Sequence, residues 1–161
     1  MEFAWNTEKN KMSDIKGKEM EQERKGKISN EEIDLDKTHL NYDLVESNKN
    51  LYQRVKDRVE EVRAVSRIQK NSVVDYSNII TVPKEQFEKW GLDKSKKYLE
   101  EVYNYFCEEF GKENLVSAKV LLDETTPHMH LHFVPVNKEN GKLQARSVMN
   151  PVRINKIHTE A

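Results

Sequence analysis

The sequence predicts an α+β fold, a central antiparallel sheet with helices packed on one face. Segments that alternate polar and apolar at every second residue are separated by segments whose apolar residues recur at helical spacing. Two alternating segments, 116–122 and 128–133, are joined only by Asp123-Glu124-Thr125-Thr126-Pro127, a link far too short for a parallel crossover. The 161 residues suffice for one sizeable core.

The elements follow in order. Residues 1–38 are polar, with a short strand expected at Phe3–Asn6 and an exposed helix over Lys16–Lys25. Residues 39–45 alternate, Leu40, Tyr42 and Leu44 on one side and His39, Asn41 and Asp43 on the other, which reads as a half-buried strand. Ser47 or Asn48 is then placed to cap a helix from Leu51 to Val62, where Leu51, Val55, Val59 and Val62 share a face. A strand is expected over 73–82. Pro83 suits a helix first turn, which Gly91 interrupts. The strongest helix begins near Asp93 and carries the stripe Leu99, Val102, Tyr103, Phe106, Cys107, Phe110, with Gly111 as its C-terminal cap. Val116, Ala118, Val120 and Leu122 form the apolar face of the next strand, and Met129, Leu131 and Phe133 that of the last. The division expected is a polar segment 1–38 continuous with the domain, a core 39–150, and 151–161 as the start of a C-terminal region that the sequence truncates.

Composition narrows the function. Lys plus Arg number 27 against 28 Asp plus Glu, so no whole-chain field draws the protein to nucleic acid or membrane, and any attraction is local. One cysteine, Cys107, precludes an intrachain disulfide. No apolar run approaches the ~20 residues that span a bilayer, and the N-terminus has neither the basic nor the apolar part of a leader. The expectation is a cytoplasmic protein with no membrane partner.

His128, His130 and His132 alternate along one strand and project from its non-core face. Neighbouring same-face positions, ~6.5–7 Å apart at the backbone, let two imidazoles lean onto one cation, whereas three in line span too far. His128 and His130 are the expected ligands, with His132 a peripheral ligand or proton donor and Glu124 the carboxylate. Mixed nitrogen and oxygen donors suit Mn²⁺, Mg²⁺ or Zn²⁺, with Mn²⁺ or Mg²⁺ preferred and no small-molecule cofactor. Leu121 is the inconsistency, an apolar residue on the polar face where a partner strand would offer a third ligand. Tyr42 is a candidate nucleophile whose parity also permits core packing, and His39 and Asn41 are candidate phosphate contacts.

Two stretches are locally basic. Residues 47–74 hold seven bases, Arg54, Arg58, Arg63 and Arg67 among them, against three acids. Residues 137–158 hold five, including Lys142 and Arg146, against Glu139. A neutral protein with such patches fits one that grips a phosphate backbone.

On the segments His39-Leu40-Asn41-Tyr42-Asp43-Leu44 and Asp123 to His130, continued through Val134-Pro135 and Asn140 to Leu143, the chain resembles the plasmid mobilisation and recombination (Mob/Pre) relaxases of the HUH endonuclease class. The resemblance implies an antiparallel sheet with helices, a divalent ion held by histidines, and single-stranded or hairpin DNA of a transfer origin that is cut, held covalently and rejoined. Two positions depart from the family pattern. Leu121 stands where the metal motif usually begins with histidine, and Glu21 stands in the region of an upstream His-x-x-Arg, whose arginine is matched by Arg24. The readings that follow are a strand transferase, intact or impaired, with Arg24, Tyr42 and Glu124 in catalytic roles, or a non-enzymatic DNA-binding relative. A hydrolytic metalloenzyme acting on another substrate is disfavoured by the basic stretches and motif order.

Overall fold

The structure is a computed structural model that describes residues 4–24, 33 and 35–150. Phe3, Lys25, the segment 151–161 with Arg153 and Lys156, and His158 lie outside the described residues. Five strands, β1 (Ala4–Asn10), β2 (Tyr42–Asp43), β3 (Asp75–Thr81), β4 (Leu115–Leu121) and β5 (His128–Phe133), form one antiparallel sheet in the order β1-β3-β5-β4-β2. Helices α1 (Met12–Gln22), α2 (Leu51–Arg63), α3 (Lys84–Phe110) and the short α4 (Ala145–Val148) complete the expected α+β class, but they pack on both faces of the sheet and not on one as expected.

One sheet face carries α3. Trp5, Ile80, Ala118, Val120, Met129, Leu131 and Phe133 pack against Leu99, Val102, Phe106 and Phe110, the stripe read from helical spacing. Phe110 stacks on Phe133 with ring centroids 4.2 Å apart, and Phe106 meets Trp5 edge-on at 6.2 Å. Each such buried side chain contributes about 1.5–3 kcal/mol. Gly91 has φ 77° and ψ −178° and divides α3 into two helical pieces, a conformation open to glycine because it has no Cβ.

The opposite face carries the histidines. At its Ser117 end it meets α1 and α2, where Gln22 donates to Ser117 Oγ (3.2 Å) and Arg54 to Asp43 (2.7 Å). A second apolar cluster there joins Ile15 of α1 with Leu51, Val55, Val59 and Val62 of α2. A register shift between Leu115 and Ser117 turns Val116 into this cluster and gives its expected place against α3 to Leu115.

Three local expectations are corrected. Residues 39–45 are not a strand. A 3₁₀ segment, Leu35–Leu40, leads into the two-residue β2, because Asn41 and Asp43 bond backbone groups with their side chains. The cap of α2 is Asn50, whose Oδ1 accepts from Gln53 N at 2.8 Å, rather than Ser47 or Asn48. In the polar start, β1 is a full edge strand paired with β3, and α1 buries Ile15, Glu19 and Gln22 rather than lying exposed.

Candidate active site

β5 lies at the centre of the sheet, and its register sets the site. His128 stands between Thr81 and Leu121, His130 between Ile79 and Lys119, and His132 between Ser77 and Ser117. All three leave the face opposite Met129, Leu131 and Phe133, as alternation requires.

His128 Nδ1 lies 2.5 Å from the Thr126 carbonyl oxygen. Donation of the Nδ1 proton to that carbonyl leaves the Nε2 lone pair for a ligand. Glu124 Oε2 is 3.1 Å from the same Nδ1, yet it is buried without a hydrogen-bond partner, since the ring proton goes to Thr126. Burial, together with His132, Arg24, His128 and Lys18, pushes His130 down to about 3. Its ring is therefore neutral at physiological pH, the form that ligates metals.

His132 has a different setting. Its Nδ1 donates to Asp75 Oδ2 at 2.8 Å, and Asn10 donates to the same oxygen at 3.0 Å. Among the described residues no three His, Cys, Asp or Glu side chains converge as a metal cluster, so the expected set of His128, His130, His132 and Glu124 does not assemble around one point. The structure brings His128 and Glu124 together, with His130 two residues along the strand. Leu121, fully buried and registered opposite His128, supplies no donor where a third ligand would stand.

The turn that carries Glu124 is clamped from outside the hairpin. Arg24 donates through Nε (3.0 Å) and Nη2 (2.9 Å) to Asp123, and Nη2 lies 3.5 Å from Glu124 Oε1. Thr38 donates to Asp123 at 2.8 Å, and Asn41 Oδ1 accepts from Leu122 N at 2.7 Å. Burial pushes the Asp123 carboxyl up, but hydrogen bonds from Arg24, Thr38 and Asn41 and the guanidinium charge outweigh it and hold the group at about 2. Arg24 is thus a positioning residue, with its guanidinium committed to Asp123.

The remaining candidates divide. Tyr42 pairs with Val120, lies on the α3 face away from the histidines and packs on that core, so its candidacy as a nucleophile is corrected. Arg54 is also removed from the candidate DNA contacts. It is bound to Asp43 (2.7 Å) and to the carbonyls of Lys49 (2.8 Å) and Val116 (3.1 Å). Arg58 donates to Asn114 and Glu61, and Arg63 to Glu60. His39, Arg67, Lys142 and Arg146 are exposed at the surface. Ser66 Oγ accepts from Leu143 N at 3.1 Å, which brings the two basic stretches side by side.

Sequence reasoning missed two features. Asp43 is a hub that accepts from Arg54, Ser117 Oγ (2.7 Å), Ala118 N (2.9 Å) and Val45 N (2.9 Å). A cavity of about 110 Å³ lies between α1 and the sheet, lined by Glu8, Lys18, Glu21, Ser77, His130 and His132 among others. The alternation of the histidines marked its floor, but nothing in the polar stretch 12–22 announced that α1 forms its roof.

Fold and site define an α+β protein with a His-x-His strand on the accessible face of an antiparallel sheet. The family described as plasmid recombination enzyme (Mob_Pre) matches residues 2–161. A plasmid recombination enzyme of Bacillus sp is 38% identical over 147 residues, 89% of this chain and 35% of the relative. One of Streptococcus agalactiae is 36% identical over 135 residues, 82% of this chain and 27% of the relative. Among solved structures, the MobM relaxase domain bound to plasmid pMV158 oriT DNA, in a manganese-bound crystal form, superposes with a TM-score of 0.89 at 32% identity, over 98% of this chain and 81% of that one. A second crystal of that domain, with 26-nucleotide oriT DNA, gives 0.80 at 29% identity, over 98% of this chain and 81% of that one. The chain belongs to the plasmid recombination enzyme family, and it spans about a third of the length of the first of these relatives.

Proposed function

We propose that this chain binds single-stranded or hairpin DNA of a plasmid or mobile-element transfer origin and breaks one phosphodiester bond there, the relaxase-type step of mobilisation and recombination. The observation that carries this reading is the pairing of His128, its Nδ1 proton given to Thr126 and its Nε2 left for a ligand, with the unpartnered buried Oε2 of Glu124. Imidazole and carboxylate are donor types that a divalent cation of the Mn²⁺ or Mg²⁺ kind accepts, with positions kept for water and phosphate. His128 and Glu124, which the structure brings together, would hold it, with His130 turning toward them from two residues along the strand. When bound, the ion supplies charge stabilisation to a non-bridging phosphate oxygen.

The chain's own residues do the rest. Arg24, through Asp123, holds the Glu124 turn in place, so Glu124 reaches the site without a reorganisation cost. Arg67, Lys142 and Arg146, at the surface, are offered to DNA phosphates, a sequence-independent grip that weakens steeply with salt. Rejoining of the strand needs the cleaved bond stored on a side chain, and Tyr42, on the other face, does not supply it.

A second reading, a DNA-binding relative without cleavage, is favoured by Leu121 alone. Incubation with closed circular single-stranded DNA and Mn²⁺ separates the two. Linear product supports the first reading. Bound but intact circles support the second, and Leu121→His, which places an imidazole opposite His128, is then expected to restore cutting. Absence of binding overturns both.

A further inference from the structure

We infer that His132 is the nucleophile of the cutting step, storing the cleaved bond as a link from its Nε2 to phosphorus, with Asp75 as its positioning residue. The inference rests on the DNA-processing reading above and deepens it by naming the atom that keeps the cut strand.

The cavity between α1 and the sheet has His130 and His132 on its floor. Asn6 and Glu8 on its rim are exposed, so the space opens to solvent at the β1 edge. From α1 it is lined by Glu21, which stands in the region of the family's His-x-x-Arg pattern. The helix thus brings a carboxylate to the cavity where that pattern has an imidazole, and β5 brings an imidazole from the opposite wall. His130 and His132 are same-face neighbours on β5, ~6.5–7 Å apart at the backbone. His132 therefore lies beside the residues assigned to the cation, at the end away from Glu124.

Of the two histidines on the floor, one is built to attack. His132 Nδ1 gives its proton to Asp75 Oδ2 at 2.8 Å, and Asn10 holds the same oxygen at 3.0 Å. Asn10, Asp75 and His132 are all buried, so the ring is fixed in place. The bond also fixes the tautomer, with the lone pair on Nε2, which makes no hydrogen bond among the described residues. His130 has no such carboxylate behind either ring nitrogen among the described residues, and His128, whose Nδ1 faces a neutral carbonyl, does not line the cavity. Asp75 has a second effect. Attack by Nε2 turns the ring into an imidazolium, and a carboxylate against Nδ1 stabilises the charge as it forms. The other cavity groups store a bond less well. The Ser77 hydroxyl is directed to the Glu8 carbonyl oxygen at 3.5 Å, and Glu21 would form an acyl phosphate, which water opens readily.

In the cutting step the Nε2 lone pair forms a bond to phosphorus, and the bond from phosphorus to one deoxyribose oxygen breaks with its electron pair. That oxygen takes a proton from solvent and becomes a hydroxyl. The ring keeps its Nδ1 proton and carries a positive charge against Asp75. Rejoining is the reverse: a hydroxyl oxygen attacks phosphorus, its proton goes to solvent, and the nitrogen–phosphorus bond breaks. No oxidant, reductant or second substrate enters.

The test incubates the wild-type chain with closed circular single-stranded DNA and Mn²⁺, quenches in alkaline detergent, digests the DNA and maps the modified peptide by mass spectrometry. The expected result is linear DNA with protein attached through His132, by a bond that survives alkali and breaks in mild acid, as a phosphoramidate does. Asp75→Asn, which keeps the side-chain shape, is expected to slow adduct formation at saturating DNA by roughly 100-fold or more, while the half-saturating DNA concentration and the Mn²⁺ affinity stay within about twofold. An adduct on Ser77, His130, Glu21 or any other residue overturns the inference, as does linear DNA free of protein or an unchanged rate in Asp75→Asn. Wild-type protein that binds a single-stranded oligonucleotide by fluorescence anisotropy but leaves circles intact overturns it too and leaves the DNA-binding reading standing. Failure to bind the oligonucleotide or the circles overturns the DNA reading itself.

Discussion

Asp43 and Glu124 are carboxylates on the same side of this sheet, and they are used in opposite ways. Asp43 receives four donors, from Arg54, Ser117, Ala118 and Val45, and so joins β2, β4 and α2. Glu124 is also largely shielded, yet its Oε2 has no hydrogen-bond partner. A buried polar atom without a partner costs about 1–3 kcal/mol, and the proposed function assigns that oxygen of Glu124 to a ligand, whereas the Asp43 carboxylate is used up inside the fold. One carboxylate builds the domain, and the other is the one the proposed function gives to a ligand.

Substitution at Asp43 should have the largest effect. Asp43→Ala strands the Arg54 guanidinium, whose side chain is 15% exposed, and removes acceptors from three further donors. A loss of about 3–5 kcal/mol in urea unfolding is expected. A loss below about 1 kcal/mol, on the order of an exposed pair, would contradict its role as hub.

Glu124→Gln is the counterpart. Unfolding free energy is expected to stay within about 0.5 kcal/mol of wild type, because no hydrogen bond to Oε2 is removed. Mn²⁺ affinity, by calorimetry, should fall by roughly tenfold or more. A large stability loss with unchanged Mn²⁺ affinity would make Glu124 a structural residue like Asp43.

The same division applies among the basic residues. Arg54 is internal, and Lys142 and Arg146 lie at the surface. Lys142→Glu with Arg146→Glu should leave folding almost untouched and lower the slope of log affinity for DNA against log salt by about 1 for each phosphate no longer gripped. An unchanged slope would place the DNA elsewhere on the surface.

What the sequence made legible follows the same line. β5 and α3 were readable because their apolar residues keep periods of two and of three to four, β4 was readable from Ala118 onward but not at Val116, where the register shift breaks the alternation, and the histidine face was readable as the complement of Met129, Leu131 and Phe133. β1 and α1 were only partly readable, since Trp5 and Ile15 are the main apolar anchors and α1 also buries Glu19 and Gln22, which no hydropathy pattern reports. Residues 39–45 misled because Asn41 and Asp43 alternate like strand residues while their side chains replace ladder bonds. The candidate ligands His128, His130 and Glu124 could be named from sequence, but the isolation of His132 beside Asp75 could not, because that aspartate comes from β3, 57 positions away. The roof of the cavity, with Glu21, depended on where α1 docks, which is a tertiary fact.

The proposed chemistry stands or falls with a divalent cation taken up by His128 and His130, with Glu124 beside them, where DNA is cut. The decisive experiment is isothermal titration of Mn²⁺ into wild-type protein and into the His128→Ala/His130→Ala variant. One saturable site in the wild type, abolished in the variant while the far-ultraviolet circular dichroism is retained, is the expected outcome. Equal heats from the two proteins, or no saturable binding by the wild type, would refute it.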